Sequence, residues 1–312
     1  MILFILLQLT IAQNEFKEYT LDSKILKEKM YYGVIYPRGY TKNVKYPIIY
    51  ALHGANRNHT LFTNYMSIYD QLISDGVVSP FIMVTPDAKM TFYIDNYDKS
   101  YQYEKYFFDE FMPHIESTLP VKTQKGYRML LGTSMGGFGS GIYSLRKKEL
   151  FGAASLLSPA FMPENLFSNL EKVCNGSTDN LPQVLQQQCQ QFKTYKLLFG
   201  TNQYYLDNNY NYIVKNQPKG TFTVPTYFCV GKKDPLYSIL NSTKPIVEEK
   251  QIPFVWEEDE NGDHTIEYWK TKMPNALKFI QKYWNEAEKQ DKTNGSIAVM
   301  MNVLLLLVLL FI

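Results

Sequence analysis

Short apolar runs rich in β-branched and aromatic side chains recur along this chain, and longer stretches with helix-like spacing separate them. Residues 31–36 and 47–52 read as early strands and 81–85 (FIMVT) as another; 127–131, 153–157, 225–230 and 253–257 continue the series. Between them, residues 102–118 place Tyr106, Phe107, Phe111 and Ile115 at helical intervals and stop at Pro120. Residues 139–150 can form a helix packed closely on the strand before it, and a last helix runs from about 268 to 288. Strands alternating with helices predict an α/β chain, a mostly parallel central sheet with helices on both faces. The rhythm breaks over about 160–222, a stretch rich in Asn, Gln and Tyr with no repeat; its Gln-rich part, 183–191, suits helix or loop. We read it as an insertion over the carboxyl edge of the sheet, where ligands bind in such architectures.

Composition narrows this picture. At 312 residues and 45% hydrophobic content the chain can bury one large core, and nothing requires a second domain. A formal net charge of +2, with no long block of one sign, leaves no footprint for nucleic acid. Residues 1–13 hold a short apolar stretch ending in small residues and are expected to be a secretory signal peptide, although a basic first segment is missing. Residues 289–296 form a polar linker, and the apolar tail 297–312 is shorter than the about 20 residues of a spanning helix. Small residues, a spacer and an apolar tail form a GPI-attachment pattern with Asn294 as the attachment residue; a short tail anchor is the alternative. The folded body is then 14–288, at the cell surface or outside it. Cys174 and Cys189 are expected to pair, closing a modest loop, whereas Cys229 in an apolar strand reads as a small hydrophobe. Among N-x-S/T sequons, Asn175 and Asn241 are the glycosylation candidates, and a sugar at Asn58 would crowd the site described next.

The chemistry lies in Gly132-Thr133-Ser134-Met135-Gly136, a G-x-S-x-G sequence preceded by a strand and followed by helix-forming residues. That context defines a nucleophile elbow, in which Gly132 and Gly136 let the chain turn sharply and hold the serine hydroxyl exposed. A serine needs a base, and the base needs a carboxylate to fix its tautomer. His264 is the single histidine after Ser134 and sits in a loop after the 253–257 strand, so it is the base by elimination. Asp234, in the loop after the 225–230 strand, is the acid, with Asp263 as second choice. The oxyanion needs two backbone N–H donors; Met135 supplies one and Ala55, after the His53-Gly54 turn, the other. His53 reads as a turn residue, and His59 and His114 have no evident partner. No histidine spacing suits zinc, so neither metal nor other cofactor is expected.

Together the segments YPIIYALHG (46–54), VTPDA (84–88), YQYEKYFFDEFMPHIE (101–116), LLGTSMGGFGSG (130–141), FCVGKKDPLY (228–237) and NGDHTIEYW (261–269) resemble the esterase D-like branch of the α/β-hydrolases. That branch includes S-formylglutathione hydrolases, feruloyl and acetylxylan esterases, enterochelin esterases and mycolyltransferases. The resemblance covers roughly 17–285 and implies the same five residues in the same roles: Ser134, Asp234, His264, Met135 and Ala55. Ala-Asn-Arg-Asn-His after the His-Gly turn departs from the glycine-rich or Trp-bearing stretch of many relatives, and the cysteine-bearing insertion and the secretion signals point away from the glutathione-linked members. The expectation is a serine esterase acting on a small-molecule, carbohydrate or lipid ester through an acyl-enzyme. An acyltransferase with the same triad and an inactive hydrolase-fold binding protein are the alternatives.

Overall fold

The structure, a computed structural model, describes residues 13–178 and 181–310. The signal peptide expected over 1–13 thus lies, but for its last residue, outside the described residues. An eight-stranded sheet in the order β1-β2-β4-β3-β5-β6-β7-β8 organises the chain. Its strands are β1 (Glu15–Ser23), β2 (Glu28–Tyr36), β3 (Ile48–Leu52), β4 (Ile82–Pro86), β5 (Arg128–Thr133), β6 (Ala153–Leu157), β7 (Thr226–Gly231) and β8 (Phe254–Asp259). β1 and β2 pair antiparallel, as do β2 and β4, and every other pairing is parallel. This is the α/β-hydrolase fold.

The parallel strands β3 to β7 bury both faces, which is why they read as continuous apolar runs, whereas β8 at the sheet edge is half-exposed. Ile48, Tyr50 and Leu52 face one hydrophobic layer while Ile49 and Ala51 face the other, and Phe228 and Val230 alternate likewise with Tyr227 and Cys229. β1 was not foreseen. As an edge strand it pairs on one side, and in its sequence EFKEYTLDS the exposed positions are Glu15, Lys17, Glu18, Thr20 and Asp22, all but one charged, a pattern that protects an edge but hides a strand.

The helices are α1 (Met66–Ser74), α2 (Tyr103–Tyr106), α3 (Met112–Thr118), α4 (Met135–Arg146), α5 (Leu166–Cys174), α6 (Gln183–Phe199), α7 (Asn202–Asp207), α8 (Tyr210–Lys215), α9 (Tyr237–Glu249) and α10 (Ile266–Leu310). A π-helical turn, Phe107–Phe111, joins α2 to α3, so the single helix expected over 102–118 is three pieces. α4 begins four residues earlier than its propensity suggests, because Gly136, Gly137 and Gly139 depress helix propensity yet are needed for close approach. α10 runs on through 289–296, where a linker was expected. Lys289, Gln290 and Lys292 favour helix there, and the weaker formers Thr293 and Ser296 turn their hydroxyls onto the carbonyls of Lys289 (3.0 Å) and Lys292 (2.9 Å) one turn back. Among the described residues no helix is long and apolar enough to cross a membrane.

The segment between β6 and β7 folds as α5–α8, and Phe167, Phe192, Phe199, Tyr205 and Tyr210 bury their rings in the same hydrophobic layer as Tyr50 and Leu130. Phe167 meets Phe192 edge-on at 5.0 Å and stacks on Tyr205 at 5.7 Å. Cys174 and Cys189 are disulfide-bonded and tie α5 to α6 across 15 residues of sequence. A loop of that length is worth about 3 kcal/mol on chain-entropy grounds. Replacing both cysteines by serine is therefore expected to lower the denaturant midpoint by that equivalent, and an unchanged midpoint would show that the aromatic packing alone holds α5 on α6. Cys229 is fully buried and burial pushes its thiol pKa up, so it stays protonated and acts as a small apolar residue.

Candidate active site

At the carboxyl end of β5 the chain must reverse into α4 within one residue. Ser134 is that residue, with φ 55° and ψ −118°. A non-glycine residue held there stores on the order of 1–3 kcal/mol of strain, which persists only where surroundings over-determine it. They do. The Ser134 N–H donates to the Leu157 carbonyl at 2.9 Å, and its own carbonyl accepts the N–H groups of Phe138 (3.0 Å) and Ala160 (2.8 Å). A Cβ at Gly132 would lie 2.1 Å from the Gly136 carbonyl oxygen, and one at Gly136 only 1.8 Å from the Leu52 oxygen. Both glycines are thus required by backbone contact. Gly136→Ala is expected to destabilise the fold by about 3 kcal/mol, the cost of overpacking against immovable main chain, read as a lower unfolding midpoint. A midpoint shift equivalent to less than 1 kcal/mol would mean the elbow is not so tightly nested.

Three side chains meet at this turn. His264 Nε2 lies 2.8 Å from Ser134 Oγ, and its Nδ1 lies 2.9 Å from Asp234 Oδ2. With the carboxylate accepting the Nδ1 proton, Nε2 is left to accept from the serine hydroxyl. Asp234 has a fully buried side chain, and its other oxygen, Oδ1, accepts the Leu236 N–H at 2.8 Å. Asp263, the second choice for the acid, instead accepts the backbone N–H of His264 at 2.7 Å, so it shapes the loop and does not reach the ring. The acid and base loops are pinned to each other: a Cβ at Gly231 would meet Gly262 main chain at 2.1 Å, and the Lys233 N–H donates to the Gly262 carbonyl at 3.0 Å. Neither glycine was singled out from sequence. Trp269 was missed as well; it meets the His264 ring edge-on at 5.1 Å and donates its indole N–H to Ser158 Oγ at 3.0 Å.

The loop after β3 lies against the serine, where a Cβ at Gly54 would be 3.3 Å from Ser134 Cβ. Ala55 follows directly, and Met135 opens α4, so both backbone N–H groups border the hydroxyl's surroundings. Among the described residues neither donates to another protein group. His53 holds this loop in place: its Nδ1–H donates to the Gly54 carbonyl at 2.8 Å while Nε2 accepts the Ala88 N–H at 2.8 Å. Fully buried with both nitrogens used, it cannot serve as a second base. His59 faces Glu18 at 3.0 Å and Asp87 at 3.9 Å, and these carboxylates raise its pKa. Burial resists ionisation of Asp87, but the neighbouring His59 and the Lys89 N–H, which donates to Oδ1 at 2.9 Å, hold its carboxyl below the usual range. His114 bonds the Tyr32 hydroxyl at 2.9 Å, and burial lowers its pKa. Among the described residues no group of histidine, cysteine and acidic side chains could hold a metal ion.

Two clefts border the loops around the serine. One, of about 290 Å³, lies between the loop after β4 and α6 and is lined by Met90, Thr91, Tyr101, Leu197 and Leu198. The other, of about 360 Å³, lies between the loop after β3 and the start of α10 and is lined by Asn56, Arg57, Asn58, Thr60, Asn64 and Ile266. Asn56 separates them, donating its N–H to the Met90 sulfur at 3.4 Å.

Comparison with known proteins gives the family and several relatives. Residues 23–280 match the family described as "Putative esterase". An endo-1,4-beta-xylanase/feruloyl esterase of Xylanibacter ruminicola is 36% identical over 148 residues, 43% of this chain and 20% of that protein. An acetyl esterase of Caldicellulosiruptor saccharolyticus is 22% identical over 237 residues, covering 75% of this chain and 83% of the relative. The chain thus spans about a fifth of the first relative and most of the second. Among solved structures a ferulic acid esterase superposes with a TM-score of 0.70 at 23% identity, over 88% of this chain and 99% of that one.

Proposed function

This chain belongs to the esterase family whose match spans residues 23–280, a family of carboxylic-ester hydrolases, and from that premise we propose that it is a serine esterase working through an acyl-enzyme at Ser134. The observation that carries this is the continuous relay from Ser134 Oγ through His264 to Asp234, at 2.8 and 2.9 Å. His264 removes the serine proton as Oγ attacks the ester carbonyl, and Asp234 stabilises the imidazolium that forms. The Met135 and Ala55 N–H groups receive the developing oxyanion, each such donor being worth about 3 kcal/mol in the transition state. The imidazolium then protonates the leaving alcohol, and water activated by the same His264 releases the acyl group.

The relatives named for feruloyl and acetyl esters support a small-molecule or carbohydrate ester as substrate. The Cys174–Cys189 bond supports folding in an oxidising compartment, in keeping with a secreted or surface-anchored protein; phospholipase release from cells would test the anchor at Asn294. The activity is tested on a panel of acetyl, feruloyl and long-chain acyl esters together with p-nitrophenyl acetate. Saturable turnover on at least one is expected. Absence of turnover on all of them would sink the esterase reading.

A further inference from the structure

General acid catalysis fixes which side of the site holds which half of an ester. The imidazolium must protonate the leaving oxygen, so the alcohol half departs on the His264 side. The 360 Å³ cleft adjoins the elements that carry these residues: Ile266, two residues beyond His264, forms one wall and the loop after β3, whose Gly54 faces Ser134, forms the other, although neither Ser134 nor His264 lines it. That loop turns tightly from Gly54, with the Arg57 N–H donating to the Gly54 carbonyl at 3.2 Å. One turn therefore separates the residue facing Ser134 from the Arg57 side chain.

The polar groups of this cleft are divided by their own hydrogen bonds. Asn58 spends its side-chain oxygen on the Thr60 N–H (2.9 Å) and hydroxyl (2.7 Å), which leaves its amide N–H₂ as a donor. Asn64 spends its N–H₂ on the Leu61 carbonyl at 2.7 Å, which leaves its oxygen as an acceptor. Arg57 is exposed and has no ion-pair partner among the described residues. The acids nearest in sequence to the opposite wall are engaged: Glu267 pairs with Lys270 at 3.0 Å, and Asp263 accepts the His264 N–H at 2.7 Å. The cleft thus offers one guanidinium, an amide donor and an amide acceptor.

We propose that this cleft binds the alcohol half of the substrate and that Arg57 selects a polyhydroxylated alcohol carrying a carboxylate, such as a hexuronate. The proposal rests on the esterase reading above. A planar guanidinium matches a carboxylate bidentately, and one cation flanked by neutral amides balances a single negative charge better than a phosphate dianion. The other cleft, apolar through Met90, Leu197 and Leu198, is left to the acyl half.

The test compares kcat/KM for 3-O-acetyl-glucuronate and 3-O-acetyl-glucose within each variant, a ratio independent of how much active enzyme is present. A charge-assisted contact predicts a ratio of about 10 to 100 in the native protein, falling toward one in Arg57→Gln and staying intermediate in Arg57→Lys. A native ratio near one, or an equal ratio in Arg57→Gln, overturns the proposal. A second measurement does not need turnover: saturation-transfer NMR of sodium glucuronate and glucose with Ser134→Ala protein, with and without Arg57→Gln. Glucuronate contact that Arg57→Gln removes upholds the cleft even if no ester is hydrolysed, in which case the esterase reading alone fails. Equal contact by both sugars overturns the cleft and leaves that reading intact.

Discussion

Replacing Ser134 by alanine is expected to lower kcat/KM toward p-nitrophenyl acetate by a factor on the order of 10⁵ to 10⁶, down to the background left by binding and the N–H donors. The substitution removes one oxygen from a residue that is 9% exposed, while the bonds that hold the elbow are made by its backbone N–H and carbonyl. The unfolding midpoint should therefore stay close to that of the native protein. A loss of activity with an intact midpoint separates chemistry from folding. Retention of more than about a hundredth of the native rate would place the nucleophile elsewhere.

Asp234→Asn should cost nearly as much, about 10⁴ in kcat, for a reason that the local hydrogen bonds dictate. Asp234 Oδ1 accepts the Leu236 N–H and Oδ2 accepts from His264 Nδ1. An asparagine keeps its oxygen on the Leu236 N–H, because only oxygen can accept there. Its N–H₂ then faces Nδ1, which must give up its proton and accept. The proton moves to Nε2, and an Nε2–H cannot take the hydrogen of Ser134. The wrong tautomer is locked in with little change of shape. Steady-state kinetics on purified variant checks this, and a loss smaller than tenfold would mean that Asp234 does not set the imidazole tautomer.

Much of this site was legible in the sequence because few residues could fill each role. One histidine follows Ser134, and β7, which carries the acid loop, is buried on both faces and so stands out as an apolar run. β8 is the weaker case, since its side chains are half-exposed, yet its β-branched and aromatic start sufficed. What stayed hidden depends on contacts between distant segments. The approach of Gly231 to Gly262 and the Trp269–Ser158 bond join residues 31 and 111 positions apart, and no local pattern announces either. β1 escaped because its charges serve the sheet edge and mask the strand period. The start of α4 escaped because the glycines that permit the elbow are poor helix formers. Arg57 looked like any polar loop residue until the structure set its loop opposite Ile266.

The most direct measurement of the central claim is the intact mass of the protein after exposure to a fluorophosphonate, followed by mapping of the modified peptide. The relay from Asp234 through His264 to Ser134 predicts one adduct per chain, carried by the peptide containing Ser134 and absent in Ser134→Ala and His264→Ala. An unlabelled native protein, or an adduct that persists in Ser134→Ala, would contradict it.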